Sequence, residues 1–405
     1  MKPMKLIYIT TTMPFGRGEE FLAPEAHELI RLGHEVLIAP RSPKGPVFSQ
    51  DAVGLDSRSL RRSLLSPAVV LSGAAEFLRH PAAAARALRI LIHSENASVF
   101  TRNLAVFPKA LWLSRVARNW QADHIHAHWG LTTATIAMIA SELTGIPWSL
   151  TLHRADIVQP NLLATKMEKA AFARYISNSG LAIARESGAL RDPQKACVIH
   201  MGVTIPTYVP MQKRDDSDFI VLCPAHLYPV KGHEHLIRAM RILRDRKLSC
   251  LLWIAGEGYL LNKLQHQVKE LDLSGAVSFL GPVPHERILG WYRVHQVDSV
   301  VLPSVDLGNH VHEGIPVALM EPMAYGIPVI STETGGIPEL IGEGAGIMVP
   351  PADPGALADA LEQLIRNPTL CSALGAAGRQ KIEEQFSIER TVAELAARIQ
   401  AASAA

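Results

Sequence analysis

Short apolar runs alternate with longer amphipathic stretches along most of the chain, a pattern that predicts strands of about five residues separated by helices. Lys5 to Thr11 is rich in β-formers, PFGRGEE follows as a turn, and apolar positions recur at helical spacing from Phe21 to Leu32. Gly33 ends that helix and HEVLIAP forms a second strand, so the chain opens β-loop-α-β, as a doubly wound parallel sheet does. From about Asp56 to Trp120 the strands stop, and a stretch rich in Ala, Leu and Arg predicts helices packed on the sheet. ADHIHAHWG, IPWSLTLHRADI, YISNSG and CVIHMGV then restore the alternation.

TIPTYVPMQKRDDSD has no periodicity, two prolines and mixed charge, which marks a linker. After it come FIVLCPA, a helix from about Gly232 to Asp245, LLWIAGEG, a helix over Leu260 to Leu271, VSFLG, a short helix and DSVVLPS. A helix from about Ile315 to near Gly326 follows, then GIPVIST and GIMVPP, and a last helix from Ile388 to Ala401 has no strand after it. The economical architecture is α/β, with two Rossmann-like doubly wound domains facing across a cleft. The expected divisions are residues 1–205, a linker at 206–217, residues 218–385, and a terminal helix at 386–405 that returns to the N-terminal domain.

The length of 405 residues suits two cores of about 200 residues each, and 48% apolar residues fit a globular protein. Cys197, Cys223, Cys250 and Cys371 are scattered, without disulfide-framework or zinc-site spacing, so a reducing cytoplasm is expected. The chain enters KLIYITT with no cleavable hydrophobic segment, and no run is long enough to span a membrane, which points to a soluble or peripheral protein. Net charge is only +2, unevenly divided: residues 1–212 hold 23 Lys and Arg against 15 Asp and Glu, leaving 17 against 23 for residues 213–405. The surplus positive charge of the first half suits an anionic membrane surface or a phosphate-bearing acceptor, and equally a solvated face; nothing in the pattern indicates nucleic acid.

In open α/β sheets ligands gather beyond the carboxyl ends of the strands. The unusual polar groups fall there: Gly16 to Gly18, His128, and His153 with Asp156 in the first half; His226, Lys231, Glu257 and the loop to Glu313 in the second. Pro316 is a natural first helical residue, and the backbone amides before the helix, in the stretch Gly314, Ile315, Pro316 and Val317 where Pro316 itself has no N–H, then face an anionic oxygen such as a diphosphate. Lys231, at a Lys-Gly helix start, is a second phosphate ligand. Glu313 and Glu321 stand eight apart, placed to hold two hydroxyl-bearing rings of one extended ligand, which suggests a nucleotide-sugar. Glu321 lies among Leu319, Met320 and Met323, and a carboxylate buried there needs partners such as ribose hydroxyls.

Blander readings stand beside these. Gly16-Arg17-Gly18 resembles a dinucleotide fingerprint, but Phe21 stands where its third glycine belongs, which disfavours nicotinamide binding. His124, His126 and His128 share one strand face, as metal ligands can, yet no carboxylate or cysteine stands at ligand spacing. A lone histidine is commonly structural; the strand-end position of His153 beside Asp156 favours a group that donates to a sugar hydroxyl or a developing charge.

PFGRGE, HIHAHW, LHRAD, VIHMGV, HLYPVKG, AGEG, FLGPV, EGIPVALME and TGGIPEL occur in this order over nearly the whole chain, and together they resemble the retaining glycosyltransferases of family 4, which have the two-domain GT-B fold. The likeness is nearest to exopolysaccharide or lipopolysaccharide enzymes of the colanic-acid type. It implies an N-terminal acceptor domain and a C-terminal nucleotide-sugar domain. Glu313 would hold the donor sugar's hydroxyls, Glu321 the ribose, Lys231 the leaving diphosphate, and His153 the transferred sugar near its reacting carbon. Gly16, Gly18, His226 and Glu257 would complete the donor contacts. The family needs no metal, and no Asp-x-Asp pair is present for one. The acceptor would be a saccharide or lipid-linked sugar at the cytoplasmic membrane face.

Two departures stand out. His226 occupies the usual arginine position five before the lysine, supplying less charge to a diphosphate unless Arg154 or Arg17 compensates. Pro322 follows Glu321 where alanine is usual, and a proline inside a helix costs about 3 kcal/mol and kinks it. The rival readings are a non-catalytic nucleotide-sugar-binding partner of a glycosyltransferase, and an epimerase or hydrolase on the same fold.

Overall fold

The computed structural model describes residues 2–16, 18–47, 52–207 and 218–404. The chain forms two compact units, Met1–Gly202 with Ile388–Ala405, and Val203–Ser387.

The first unit is built on a parallel sheet of β1 (Lys5–Thr10), β2 (Glu35–Pro40), β3 (His124–His128), β4 (Trp148–Leu152), β5 (Phe172–Tyr175) and β6 (Ala196–Val198) in the order β2-β1-β3-β4-β5-β6. Its helices are α1 (Ala23–Arg31), α2 (Pro67–Arg79), α3 (Pro81–Ile92), α4 (Ala97–Trp120), α5 (Thr132–Thr144), α6 (Arg154–Val158), α7 (Leu163–Lys169) and α8 (Asn178–Glu186). Both faces of the sheet are covered, so β3 and β4 are buried at every position and read as continuous runs. Ile7, Ile9, Ile125, Leu150 and Leu152 pack with α4 and α5 into one core. The segment from Asp56 to Trp120 is helical as predicted: α4 starts where Asn96 Oδ1 accepts the Val99 amide at 2.9 Å, and α2 and α3 each begin at a proline.

The second unit holds β7 (Phe219–Pro224), β8 (Cys250–Ala255), β9 (Val277–Gly281), β10 (Ser299–Leu302), β11 (Val329–Thr332) and β12 (Ile347–Val349), all parallel, in the order β12-β11-β10-β7-β8-β9. Numbered from its own first strand this is 6-5-4-1-2-3, the Rossmann order. Its helices are α9 (His233–Asp245), α10 (Leu261–Glu270), α11 (His285–Arg293), α12 (Val317–Ala324), α13 (Ile337–Ile341), α14 (Pro354–Arg366) and α15 (Pro368–Lys381). The final α16 (Ile388–Ala404) packs against α1, and Ser403 on it reaches His124 at 3.1 Å. The first division falls slightly before the expected 205/206, because the Val203 amide donates to the Phe386 carbonyl of the second unit at 2.9 Å. Of the expected linker, residues 208–217 lie outside the described residues. Among the described residues no helix is long and apolar enough to cross a membrane.

Candidate active site

Doubly wound sheets bind ligands where neighbouring strands lead off to opposite sides. In the second unit that point lies between β7 and β10, and the loops leaving these two strands carry Lys231 and Glu313. The two side chains form an ion pair, Lys231 Nζ to Glu313 Oε1, at 2.6 Å with 19% and 14% exposure. Local backbone geometry brings them together. Lys231 does not begin a helix, as the Lys-Gly pair suggests; it closes a single 3-10 turn, Pro229–Lys231, and Gly232 at φ +66° caps α9. Any side chain at Gly232 would run into the Pro303 carbonyl beyond β10, so glycine lets the two loops touch. Likewise Gly335, at φ +56°, lies against the Glu313 carbonyl and the His312 ring, which fixes the loop ahead of α12.

Helix α12 starts at Val317, two residues later than the spacing predicts. Pro316 keeps an extended ψ of 121° and acts as the cap, its carbonyl accepting the Leu319 amide at 3.0 Å. Gly314 and Ile315 pack against Gly336 just ahead of the helix. Glu321 is held by His285 of α11, whose Nε2 lies 2.7 Å from Oε1. Pro322 does not break α12, which continues to Ala324, and the Glu321 carbonyl still accepts the Tyr325 amide at 3.2 Å. The kink expected to displace Glu321 therefore leaves its side chain engaged. His226 is exposed and stacks on Tyr228 at 5.6 Å, and Tyr228 stacks on the more exposed Tyr259 at 5.4 Å. The backbone of Glu257 supports this row, accepting the Leu227 amide at 3.0 Å, with its carbonyl 3.3 Å from His226 Nδ1.

The corresponding point of the first unit lies between β1 and β3. Here Glu19, buried, gathers the amides of Thr11, Thr12 and Met13 and the Trp129 indole N–H. Burial alone would raise its carboxyl, but the Met13, Thr12 and Thr11 amides and the indole bring it below the usual range. The glycine loop is spoken for as well. Gly16 at φ +81° donates to the Pro46 carbonyl at 3.1 Å, and Gly18 at φ +99° donates to Glu20 Oε2 at 2.8 Å. Arg17 lies outside the described residues. Phe21, far from being a failed third glycine, stands edge-on to His128, Trp129 and His153.

The β3 histidines share one buried face, and every ring nitrogen has a protein partner. His124 meets Ser149 and Ser403, His126 meets Ser149 and Thr151, and His128 meets Tyr8 and His153. Burial pushes His124 down to about 3 and His126 far below the usual imidazole range. His153 caps α6: its carbonyl accepts the Asp156 amide at 3.0 Å, and Asp156 Oδ2 accepts the His153 amide at 3.0 Å. Its Nε2 lies 2.8 Å from His128 Nε2, so that nitrogen is engaged within the protein. Trp129 covers the ring at 4.2 Å. Burial pushes Asp156 up to about 7, against the His153, Gly130 and Leu131 amides that favour its anion; Lys166, driven down by burial, donates to the Gly130 and Leu131 carbonyls.

Tyr8, Glu19, Glu25, Arg174 and His285 escaped the sequence reading. Arg174 carried a signal: a cation inside the four-residue strand FARY must find a buried partner, and it finds Glu25 at 2.6 Å. Glu19 lies inside PFGRGE without a signal of its own, and His285 gave only its place just after FLGPV.

Solved structures define the class: the chain has the fold of the two-domain, parallel-sheet glycosyltransferases. Sucrose-phosphate synthase from Thermosynechococcus elongatus superposes over 97% of this chain and 98% of its own, with TM-score 0.73 and 18% identity. Anabaena HepE, crystallised with UDP and glucose, superposes over 98% and 100%, with TM-score 0.73 and 16% identity. The model for "Glycosyl transferases group 1" matches residues 205–381, the stretch carrying Lys231, Glu313 and Glu321. The Escherichia coli K12 protein WcaL, whose name places it among colanic acid biosynthesis glycosyltransferases, is 31% identical over 71% of this chain and 72% of its own. The amylovoran biosynthesis glycosyltransferase AmsK of Erwinia amylovora is 34% identical over 48% of each chain, so this chain spans about half the length of that relative. The chain belongs to the glycosyl transferases group 1 family.

Proposed function

We propose that the protein is a retaining glycosyltransferase that moves a sugar from a nucleotide-sugar to a saccharide or lipid-linked acceptor in exopolysaccharide or lipopolysaccharide synthesis. The observation that carries this reading is the Lys231–Glu313 pair beside α12, inside the segment matched by the family model. Lys231 stabilises the departing diphosphate, and Glu313 takes the donor sugar's hydroxyls. Glu321, steadied by His285, takes the ribose, and His153 orders the transferred sugar. The bond from the sugar's anomeric carbon to the phosphate oxygen breaks, and the acceptor oxygen bonds to the same face. Its proton passes to the departing phosphate, with no metal required. HepE was crystallised with UDP and glucose, which favours a donor of that chemistry.

A contact with an anionic membrane surface is part of the proposal. Val70, Leu71 and Leu78 on α2 and Ile92 on α3 are exposed, with Arg79, Arg86 and Arg89 on the same two helices. Arg61 serves the fold instead, lying 4.4 Å over the Phe15 ring and donating to Gly45.

The test is a mass-spectrometric screen of nucleotide-sugars, followed by NMR of the product's anomeric configuration. Transfer with retention, abolished in Glu313→Ala, supports the reading. Inversion overturns the stereochemistry. Binding without turnover favours a non-catalytic partner, which His226 in the usual arginine position makes specific, and unaltered donor binding by Glu313→Ala defeats the site.

A further inference from the structure

Behind His153 the first unit contains a line of buried polar groups that the proposed transfer leaves unused. His153 Nε2 lies 2.8 Å from His128 Nε2, and His128 Nδ1 lies 2.9 Å from the Tyr8 hydroxyl. The Tyr8 hydroxyl lies 2.6 Å from Glu25 Oε1, and Glu25 Oε2 lies 2.6 Å from Arg174 Nη1. Tyr8, Glu25, His128 and Arg174 are fully buried. Arg174 is fixed in turn by the Ile199 and His200 carbonyls, at 2.8 and 2.6 Å.

The Glu25–Arg174 end sets the direction of the protons in this line. At one end a carboxylate paired with a guanidinium accepts, so Tyr8 spends its only proton on Glu25. The phenol oxygen is then an acceptor, and His128 must carry its proton on Nδ1. At the other end His153 caps α6 through its backbone, its carbonyl accepting the Asp156 amide at 3.0 Å and its amide donating to Asp156 Oδ2 at 3.0 Å. A neutral His128 that spends its one proton on Tyr8 has a bare Nε2, which accepts from His153 Nε2 at 2.8 Å. The His153 proton therefore resides on Nε2 and is donated to a bare His128 Nε2. A doubly protonated His128, its Nδ1 3.8 Å from Glu25 Oε1, is the competing state and would leave the His153 proton on Nδ1. Phe21 and Trp129 pack on the His153 ring and oppose its flipping.

We propose that Glu25, Tyr8 and His128 are positioning residues that hold His153 as a neutral imidazole with its proton on Nε2, so that His153 serves the transfer by shape and dipole and exchanges no proton. The catalytic part rests on the reading of His153 given above; the tautomers do not.

Selective ¹⁵N-histidine labelling of the full chain, with His153→Gln and His128→Gln used for assignment, reads the protons directly. The expected spectrum has the two rings in opposite tautomers, Nε2–H for His153 and Nδ1–H for His128. A cationic or Nδ1–H His153 overturns the proposal whether or not the protein transfers sugar. In Tyr8→Phe, His128 loses its acceptor, and kcat is expected to fall on the order of tenfold with the donor KM within about threefold. Unchanged kcat in folded Tyr8→Phe overturns the positioning role, and if that variant does not fold, the wild-type spectra decide. Absence of transfer by the wild-type protein from every nucleotide-sugar defeats the function reading and with it the positioning role, while the spectra still judge the proton order.

Discussion

At the switch point of the first unit, Glu19 is saturated by three backbone amides and an indole, and Glu25 by a guanidinium and a phenol. At that of the second unit, Glu313 has one lysine partner and Glu321 one histidine, all four side chains retaining contact with solvent. The two sheets share parallel pairing and a strand-order reversal at the site, yet one places its carboxylates inside and the other at its surface. A carboxylate with every lone pair directed to protein is scaffolding, whereas one held by a single partially exposed cation can exchange that partner for a ligand. The fold fixes where a site can form, and the saturation of its charged groups separates framework from chemistry.

The largest effect expected from that difference comes from Arg174→Met. It leaves Glu25 buried without its cation, and breaking such a pair costs about 3–5 kcal/mol. Urea unfolding followed by tryptophan fluorescence measures it, and a loss under about 1 kcal/mol would remove the distinction. Lys231→Ala inverts the pattern. A partly exposed pair contributes at most about 1 kcal/mol to stability, whereas losing leaving-group stabilisation should lower kcat by about 10²-fold or more. Steady-state kinetics beside the same unfolding assay separates the two, and a variant that loses stability while keeping kcat would make Lys231 framework.

Acidification should expose the same contrast. His124 and His126 are neutral in the fold, His124 down at about 3, whereas an unfolded histidine takes up its proton near pH 6.5. Below that pH the unfolded chain binds more protons, so stability falls with pH. Asp156, raised to about 7, opposes one of them, because its folded form binds the proton first. His153 is lowered in the same way, and three imidazoles against one carboxyl leave about 2.7 kcal/mol lost per pH unit between about 6 and 4. In the second unit His233, burial-lowered to about 4, loses stability over the upper part of the same range. Hydrogen exchange, corrected for intrinsic rate, should show β3 and β4 losing protection before β7 and β8. The reverse order would mean that the histidine face is not the weaker element.

Legibility in the sequence divides along a related line. The strands were readable because burial on both faces makes them continuous apolar runs, and the strand-end positions of Lys231, Glu313, His153 and His226 followed from that alternation. The partners were not readable. Lys231 meets Glu313 only because Gly232 lets the loops after β7 and β10 touch, and Glu25 meets Arg174 across 149 residues. Such pairings depend on strand order, which hydrophobic periodicity does not encode. The proton placement proposed at His153 is further removed still, since it depends on a line through β1, α1, β3 and β5.

The smallest effect concerns Pro322. A proline in a helix interior costs about 3 kcal/mol against alanine where it breaks a bond and bends the axis. Here α12 runs on through Ala324, and Pro322 is itself buried, so Pro322→Ala regains a backbone bond and gives up ring packing of comparable size. The net stability change should stay within about 1 kcal/mol. Donor affinity should change by less than about threefold, because Glu321 is aimed by His285 across the gap between α11 and α12. His285→Ala should weaken the donor more than Pro322→Ala does, and isothermal titration of the two variants ranks them. The opposite ranking would show that Pro322, and not the histidine, sets Glu321, and the second unit would then depend on its backbone as the first depends on buried charge.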